Sequence, residues 1–284
     1  KAAIASGVAR QPITDWEAYE VQLKNRLGLD NKLVRTITEK AQANPKRVVF
    51  AEADQIKILK AAQTSFEEGF AEPILLGNRS KIEGLIDEYA IEIPDVVIID
   101  PKSEEEDDRR ISYGKAFFEK RKRKGFTEFE SIRIMRERNH FGAMMVEMGD
   151  ADAMITGLTR SYRNSVRPVL QTIGLDKDVN TLAGLYILNT KRGLFFLADT
   201  TINLDPTAEQ IAEITANVAK TIRKFRVTPR IAMLSYSNFG SSIGNDAEKM
   251  SKATKILHEK HPSLVVDGEL QANFALNNEL MMDK

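Results

Sequence analysis

The chain of 284 residues is 42% hydrophobic and 29% charged, the composition of a globular protein long enough to bury a sizeable core. Lysine plus arginine and aspartate plus glutamate number 41 each, so the basic excess that binding to a nucleic-acid backbone requires is missing. Because the chain has no cysteine, disulfides, thiolate zinc sites and cysteine nucleophiles are excluded, which fits a cytoplasmic protein. No apolar run reaches about 18 residues, so we expect neither a membrane span nor a membrane partner.

The first part of the chain predicts a lead-in and then alternating strands and helices. Residues 1–34 form this lead-in, in which Trp16, Tyr19 and Leu23 have helical spacing. An alternation of strands and amphipathic helices implies a mainly parallel, doubly wound α/β sheet. The pattern predicts helices over 31–44, 54–69 and 78–89 and strands over 46–51, 72–77 and 95–100.

The second part of the chain repeats this alternation. Charged residues dominate 103–138 and predict two helices, the second beginning at Thr127. We therefore predict two doubly wound α/β domains, residues 35–178 and 179–284. The remaining predicted elements are a helix over 141–149, strands over 153–156, 182–189, 194–198, 231–235 and 264–267, helices over 207–226 and 246–261, and a final helix.

A polar turn after the strand at 153–156 is the first candidate ligand site. Arg167 precedes Pro168, a residue that favours the first position of a helix, and Arg160 and Arg163 lie in the same turn. Backbone N–H groups, hydroxyls and guanidinium groups gathered at a helix start suit a phosphate. The alternative for any one arginine is a structural ion pair, and for three arginines in one turn phosphate binding and ion pairing both stay open.

Two further segments are candidates of lower specificity. The basic run Lys120–Lys124 ends at Gly125 beside a helix start and is either a solvated surface or an anion site. The hydroxyl-rich loop at 234–242 follows a strand and either holds phosphate or a carbonyl oxygen through its N–H groups, or only caps the next helix. It matches neither the Gly-Lys-Ser/Thr phosphate loop nor the Gly-x-Gly-x-x-Gly pattern.

Metal ligation and nucleophilic catalysis find no support in the sequence. His258 and His261 lie three apart near a helix end, and His140 is expected to be structural, so we predict no metal site. Because no histidine has a motif-like position near the serines of 234–242, we assign no catalytic residue. Acidic residues at strand ends are expected mostly to cap helices or form turns: Asp150, Asp152, Asp199, Asp205, Asp267 and Glu269.

Taken together, these segments resemble the phosphate acetyltransferase / phosphate butyryltransferase family from about residue 35 to residue 284. The matching motifs occur in family order at 121–125, 139–142, 149–157, 166–171, 198–207, 233–241 and 266–271. The resemblance implies two domains with a ligand cleft between them, where the sulfur of CoA attacks an acyl phosphate. It places substrate-binding arginines at Arg121 and Arg167. The residues expected to bind acetyl-CoA or phosphate are Arg121, Thr156, Arg160, Arg167, Ser235, Ser237, Gly240 and Ser241.

The lead-in resembles a different group of proteins. Residues 5–13 and the following Trp16, Tyr19 and Leu23 are similar to the junction in long bacterial malic enzymes, where an oxidoreductase domain precedes a phosphate-acetyltransferase-like domain. This resemblance implies a regulatory tail that senses acetyl-CoA and has no cofactor of its own. NADP and a divalent metal, Mg²⁺ or Mn²⁺, are expected for the oxidoreductase domain before residue 1. The family's terminal segment, whose Asp and Ser-Arg pair deprotonate and place the CoA thiol, would follow residue 284.

Three functional hypotheses follow. The first is an acetyl-CoA-binding regulatory domain of an NADP-dependent malic enzyme, which decarboxylates malate oxidatively to pyruvate. The second is an active phosphate acetyltransferase that moves an acetyl group between CoA and phosphate. The third is an oligomerisation scaffold, because the apolar segments 182–188 and 194–197 of the second domain suit the interface of a homo-oligomer.

Overall fold

Strands and helices alternate along the first half of the chain, as the apolar pattern predicts. The computed structural model describes residues 15, 16, 19, 30–190, 193–277 and 279. Two compact units divide the chain, one of residues 38–176 and the other mainly of residues 177–284. Before residue 177 the elements are α1 (Asp30–Ala43), β1 (Lys46–Phe50), α2 (Ile56–Glu67), β2 (Ala71–Leu76), α3 (Arg79–Tyr89), β3 (Val97–Ile99), α4 (Asp107–Arg121), α5 (Glu128–Ile134), α6 (Arg138–Met148), β4 (Ala153–Ile155) and α7 (Tyr162–Thr172).

Strands β1 to β4 form one parallel sheet in the order β3-β2-β1-β4. Phe50 of β1 lies opposite both Leu75 of β2 and Ile155 of β4. The chain adds β2 and β3 on one side of β1 and then returns to add β4 on the other. The carboxyl ends of β1 and β4 therefore flank the point where the strand order reverses, which is where open α/β sheets bind ligands.

Helices cover both faces of this sheet. Val49 of β1 is fully buried in a cluster with Phe117 of α4 and Phe141 of α6. The next residue, Phe50, is buried in a separate cluster with Leu59 of α2. Because successive residues of a strand point to opposite faces, β1 contributes to two cores. The predicted doubly wound arrangement is confirmed for this sheet.

Capping boxes begin two of the predicted helices. The hydroxyl of Thr127 accepts the N–H of Glu130, whose carboxylate returns to the N–H of Thr127, and α5 begins at the next residue. Thr207 and Gln210 form the same reciprocal pair at the start of α8 (Ala208–Lys224). Each box satisfies N–H groups that the first turn of a helix leaves unpaired. Both starts were predicted from the sequence, and both are confirmed.

The unit that begins at residue 177 contains two separate pairs of strands among its described residues. β5 and β6 pair antiparallel, with Thr190 opposite Gly193, whereas β7 and β8 pair in parallel. The connection from Thr190 to Gly193 is far shorter than the dozen residues that a parallel crossover needs, so β5 and β6 add an antiparallel element to the predicted series. The elements of this unit are β5 (Leu185–Thr190), β6 (Gly193–Ala198), α8, β7 (Arg230–Leu234), α9 (Asn245–Lys260), β8 (Val265–Leu270) and α10 (Ala272–Leu276).

Small and aliphatic side chains form the core of this second unit. Ala219 of α8, Ala253 of α9 and Leu257 of α9 are fully buried in one cluster with Met233 of β7 and Val266 of β8. The alanines let α8 and α9 approach closely over the β7–β8 pair. None of the described helices is both long and apolar enough to cross a membrane. Leu23 and most of the lead-in predicted over 1–34 lie outside the described residues.

Candidate anion-binding site

A buried carboxylate lies where the carboxyl ends of β1 and β4 meet. Glu52, two residues after the end of β1, is 1% exposed. Its Oε1 accepts the N–H groups of Gly157 at 2.6 Å and Leu158 at 3.0 Å, and its Oε2 accepts the N–H of Thr159 at 2.6 Å. The hydroxyl groups of Thr156 and Thr159 also donate to it. The turn that follows β4 is therefore built around Glu52.

Glu52 is ionised in this setting. Burial raises the pKa of a carboxyl group, but the hydrogen bonds from Thr159 and Gly157 outweigh burial and lower the pKa of Glu52 from 4.5 to about 2. Gly157 has a φ of 120°, a conformation that residues with a side chain rarely adopt and that lets consecutive N–H groups converge on one point. No arginine, lysine or histidine of the described residues pairs with Glu52.

The helix start predicted at Pro168 is wrong, because α7 begins at Tyr162 and contains Pro168 in its interior. Arg163 and Arg167 therefore lie within the helix and not in a turn before it. Arg160 lies just before the helix and pairs with Glu137 at 3.3 Å. Arg163 and Arg167 are four residues apart, so they share one helix face. Both are exposed, and neither has a hydrogen-bond or ion-pair partner within the described part of the chain.

Ser161, the N-cap of α7, forms no side-chain cap, but its carbonyl oxygen accepts the N–H of Asn164. In the described structure the N–H groups of Tyr162 and Arg163 are therefore the ones left for an anion.

Arg160 is held by a polar network at the start of α6. The carboxylate of Glu137 caps α6 by accepting the N–H groups of Asn139 at 3.0 Å and His140 at 3.1 Å. The imidazole of His140 lies between Glu137, at 3.1 Å, and the side-chain oxygen of Gln171, at 3.0 Å. Burial raises the pKa of Glu137, but the hydrogen bonds from His140 outweigh it and lower the pKa overall. His140 is thus structural, as predicted.

Arg121 contacts the far end of α7. Its guanidinium donates to the carbonyl oxygens of Leu170 at 2.5 Å and Gln171 at 2.6 Å, in the last turn of α7. Those carbonyls have no partner within the helix, so they attract a cationic donor. The structure brings Arg121 to the carboxyl end of α7 and Arg160 to its amino end, with Arg163 and Arg167 between them. Ligand contact by Arg121 stays a prediction.

Thr156 is also engaged within the protein. Its hydroxyl lies 3.2 Å from Glu52 and 3.0 Å from the side-chain oxygen of Asn139. Asn139 is fully buried, and its Nδ2 has no hydrogen-bond partner among the described residues. In this structure Thr156 therefore ties the end of β4 to Glu52 and α6. Direct contact of Thr156 with a ligand stays a prediction.

The second unit also contains a buried carboxylate that accepts hydrogen bonds from a loop. Glu269 of β8 is 3% exposed and accepts the N–H of Gly240 at 2.6 Å and the hydroxyl of Ser237 at 3.1 Å. Burial raises the pKa of Glu269, but the bonds from Gly240 and its other donors outweigh burial and lower it. The hydroxyl of Ser235 accepts the N–H of Ser237 at 3.3 Å. The hydroxyl of Ser241 accepts the N–H of Asn238 at 2.9 Å. The predicted residues Ser235, Ser237, Gly240 and Ser241 therefore belong to one hydrogen-bonded loop.

The acidic residues at strand ends serve the structure in most cases. Asp199 accepts backbone N–H groups from Gly184 at 2.8 Å and Asn203 at 2.7 Å, which organises the segment after β6. Asp152 pairs with Arg47 at 3.1 Å. Asp199 fits the predicted turn-forming role, whereas Asp152 forms an ion pair with a residue 105 positions away. Within the described ranges no group of three or more histidine, aspartate or glutamate side chains is placed to hold a metal ion.

Glu52 was missed in the sequence. The signal available was a charged residue between Ala51 and Ala53, directly after a buried strand. Its partners lie 104 to 107 residues further along the chain, so no local pattern connects them. The fold and these residues define an α/β protein with a candidate anion site at the switch point of its parallel sheet.

Comparison with known proteins identifies the family. The model of the family described as Phosphate acetyl/butaryl transferase matches residues 32–284, and the chain belongs to this family. A phosphotransacetylase from Streptococcus pyogenes has a similar structure, with a TM-score of 0.80, 34% sequence identity, and coverage of 89% of this chain and 76% of that one. EutD phosphotransacetylase from Staphylococcus aureus has a TM-score of 0.79 and 26% identity, covering 90% of this chain and 78% of that one.

Similar sequences come from two kinds of protein. The NADP-dependent malic enzyme of Salmonella typhimurium is 37% identical over 286 residues, which cover 100% of this chain and 38% of that enzyme. The match falls in the C-terminal part of such malic enzymes. The phosphate acetyltransferase of Clostridium acetobutylicum is 32% identical over 255 residues, covering 87% of this chain and 76% of that protein. Both resemblances predicted from the sequence are confirmed, and the chain spans well under half of the malic enzymes it matches.

Proposed function

We propose that this chain is the acetyl-CoA-binding regulatory domain of an NADP-dependent malic enzyme and has no catalytic role of its own. The match to such enzymes extends over 100% of the chain. The family implies an acyl-CoA or phosphate ligand. The observation that carries the proposal is the pair Arg163 and Arg167, which are exposed on one face of α7 and have no partner among the described residues.

Free arginines at this position suit the phosphate groups of CoA. A guanidinium group offers paired donors that match two oxygens of one phosphate, and such charge-assisted hydrogen bonds are stronger than neutral ones. The uncapped first turn of α7 adds N–H groups and the positive end of the helix dipole. Arg160, which is tied to Glu137, borders the same turn. In this proposal the loop from Ser235 to Ser241 contacts the acyl end of the ligand.

The proposed regulation requires differential binding. Acetyl-CoA changes the activity of the parent enzyme only if it binds one arrangement of the assembly more tightly than another. The parent reaction is the oxidative decarboxylation of malate to pyruvate. Its NADP and divalent metal, Mg²⁺ or Mn²⁺, are assigned to the oxidoreductase domain and not to this chain.

The proposed assembly is a cytoplasmic homo-oligomer formed through the second unit. Large apolar side chains of the β5–β6 pair are exposed in the single chain, among them Tyr186 at 54%, Leu188 at 42% and Leu197 at 40%. A two-stranded sheet alone is marginally stable, and its apolar faces gain by burial against a second copy. Mass measurement in solution tests this part, and a monomer at micromolar concentration contradicts it.

A second candidate is an active phosphate acetyltransferase. It is favoured by the identity of 32% with the phosphate acetyltransferase of Clostridium acetobutylicum and of 34% with the Streptococcus pyogenes structure. The two functions differ in a simple readout, since only the transferase releases free CoA thiol from acetyl-CoA when phosphate is added.

The test uses the intact parent protein with NADP and Mg²⁺ or Mn²⁺. Malate-dependent reduction of NADP is measured with and without acetyl-CoA, and acetyl-CoA binding is measured by calorimetry. A change in rate together with binding supports the regulatory domain and gives the direction of regulation. A rate of malate-dependent NADP reduction that does not change with acetyl-CoA contradicts the regulatory role. Absence of malate activity together with phosphate-dependent thiol release replaces it with the transferase.

A further inference from the structure

Glu52 is an unusual buried charge because no cation accompanies it. It lies between Ala51 and Ala53, both fully buried, and is itself 1% exposed. Buried carboxylates are ordinarily paired with a positive group, since burial of an unpaired charge is costly. Among the described residues Glu52 has no ion pair and instead receives its hydrogen bonds from one turn, residues 156–159. The hydrogen bonds from this turn stabilise the buried carboxylate in place of a cation.

Both oxygens of the carboxylate receive donors, three at Oε1 and two at Oε2. Oε1 accepts from the Thr156 hydroxyl and from the N–H groups of Gly157 and Leu158, whereas Oε2 accepts both the N–H and the hydroxyl of Thr159. A concave run of converging backbone N–H groups is the geometry that binds phosphate oxygens in other α/β proteins. Here the chain's own carboxylate fills that concavity, so an external anion cannot use the same N–H groups.

The arginines begin immediately after this turn. Arg160 follows Thr159 directly, and α7 starts at Tyr162, so the direction in which α7 leaves the sheet depends on the conformation of residues 157–161. That conformation is held by the hydrogen bonds to Glu52, which lies two residues after the end of the neighbouring strand, β1. A shift of the turn moves Arg163 and Arg167 together, because both are fixed on one helix.

We propose that Glu52 is a positioning residue, a built-in anion that fixes the turn at 156–161 and so determines where Arg160, Arg163 and Arg167 meet the phosphate of an acyl-CoA. The assignment rests on the proposed function for the identity of the ligand. The proposal separates two sets of donors within the site. The guanidinium groups and the first turn of α7 bind the ligand phosphate, whereas the N–H groups of Gly157 to Thr159 bind Glu52.

A matched control is available in the other unit. Glu213 of α8 also accepts two backbone N–H groups, from Asn180 at 2.6 Å and Thr181 at 3.3 Å, and the hydroxyl of Thr181 at 2.7 Å. The change Glu213→Gln removes the same charge from the same kind of loop cap. Glu213 contacts none of the arginines of α7 in the described structure. A general effect of losing a capping carboxylate therefore appears in both variants, whereas positioning of the arginines is disturbed only by Glu52→Gln.

The experiment combines binding with amide hydrogen exchange. Binding of acetyl-CoA and, separately, of inorganic phosphate is measured for the wild-type chain, Glu52→Gln and Glu213→Gln. Exchange at residues 157–159 and in β1 and β2 is followed by NMR. We expect Glu52→Gln to weaken both ligands at least about tenfold and to speed exchange at 157–159, with β1 and β2 still protected. Glu213→Gln is expected to bind both ligands like the wild type.

Chemical rescue separates positioning from a general packing role. Glu52→Ala leaves the N–H groups of the turn facing an empty space in which formate, a small carboxylate, fits. Formate is expected to restore slow exchange at 157–159 and the affinity for acetyl-CoA, and to have no effect on Glu213→Ala. Rescue of this kind requires an anion at the position of the Glu52 carboxylate.

Each outcome decides the inference. Unchanged affinity in Glu52→Gln overturns it, as does weakening that is equal in Glu213→Gln or that accompanies loss of protection throughout β1 and β2. If the wild-type chain binds neither acetyl-CoA nor phosphate, the proposed function fails. In that case fast exchange at 157–159 in Glu52→Ala, reversed by formate, still supports Glu52 as the anchor of the turn, and unchanged exchange overturns it.

Discussion

The Nε–H group of Arg121 donates a hydrogen bond to the carbonyl oxygen of Gln171 at 2.6 Å. This contact joins the end of α4 to the end of α7, and Lys120 strengthens it by donating to the carbonyl oxygen of Thr172 at 2.9 Å. Carbonyls in the last turn of a helix have no partner within the helix and carry the negative end of the dipole. Two consecutive cationic residues of α4 therefore bind the unpaired carbonyl oxygens in the last turn of α7. The same helix carries Arg163 and Arg167.

The first prediction concerns stability at this junction. Arg121→Ala removes the two charge-assisted hydrogen bonds to Leu170 and Gln171 and is expected to lower the free energy of unfolding by about 1.5–3 kcal/mol. Lys122→Ala is the control, because Lys122 is exposed and, among the described residues, pairs with Glu119 alone. We expect this substitution to lower the free energy of unfolding by less than about 0.5 kcal/mol. Urea unfolding at pH 7 measures both. Equal effects would contradict the structural role of Arg121.

The second prediction separates ligand binding from stability. Arg167→Ala is expected to weaken acetyl-CoA binding by roughly 1.5–3 kcal/mol, the range of a charged hydrogen bond, and to change the stability by less than about 0.5 kcal/mol, because Arg167 is exposed and has no partner among the described residues. Arg223→Ala removes one positive charge from the exposed end of α8 and is expected to leave binding unchanged. Calorimetry measures the affinities. An unchanged dissociation constant for Arg167→Ala would remove this residue from the site.

The third prediction is a pH dependence that belongs to Glu52. The pKa of Glu52 is lowered from 4.5 to about 2 in the folded chain, so its contribution to stability is present above about pH 4.5 and is lost as the pH falls toward 2. The shift corresponds to about 3 kcal/mol. We therefore expect the difference in free energy of unfolding between the wild type and Glu52→Gln to be largest near neutral pH and to shrink by about that amount in acid. A difference that stays constant between pH 6 and pH 2.5 would contradict it.

Much of the first unit is readable from the sequence because its signals are local. The run Val48–Phe50 is apolar throughout, as a strand buried on both faces requires, and Thr127 with Glu130 spells a capping box within four residues. Antiparallel pairing of β5 with β6 follows from the short connection between Thr190 and Gly193. The sequence prediction of a mainly parallel series did not take the length of that connection into account.

The candidate site is less predictable because its contacts join distant parts of the chain. The cluster of arginines from Arg160 to Arg167 is visible in sequence, but their surroundings are not. Glu52 meets Gly157 across 105 residues, and Arg121 meets Gln171 across 50. Whether an arginine is free to bind an anion depends on such contacts, whereas the family resemblance implied the same role for Arg121 and Arg167. The fold distinguishes them by using the first to cap α7 and leaving the second exposed.

The fourth prediction tests the close approach of α4 to α5. At Gly114 of α4 an added Cβ would lie 2.5 Å from Cα of Ile132, a backbone atom that cannot move aside by rotation of a side chain. Gly114→Ala is therefore expected to lower the free energy of unfolding by about 1–3 kcal/mol. Gly84 of α3 is exposed and has nothing within 4 Å of the added Cβ, so Gly84→Ala is expected to raise it by about 0.5–1 kcal/mol through helix propensity. Thermal and urea unfolding measure both. Opposite signs support the described packing of α4 on α5, and stabilisation by both substitutions would show that the two helices lie further apart.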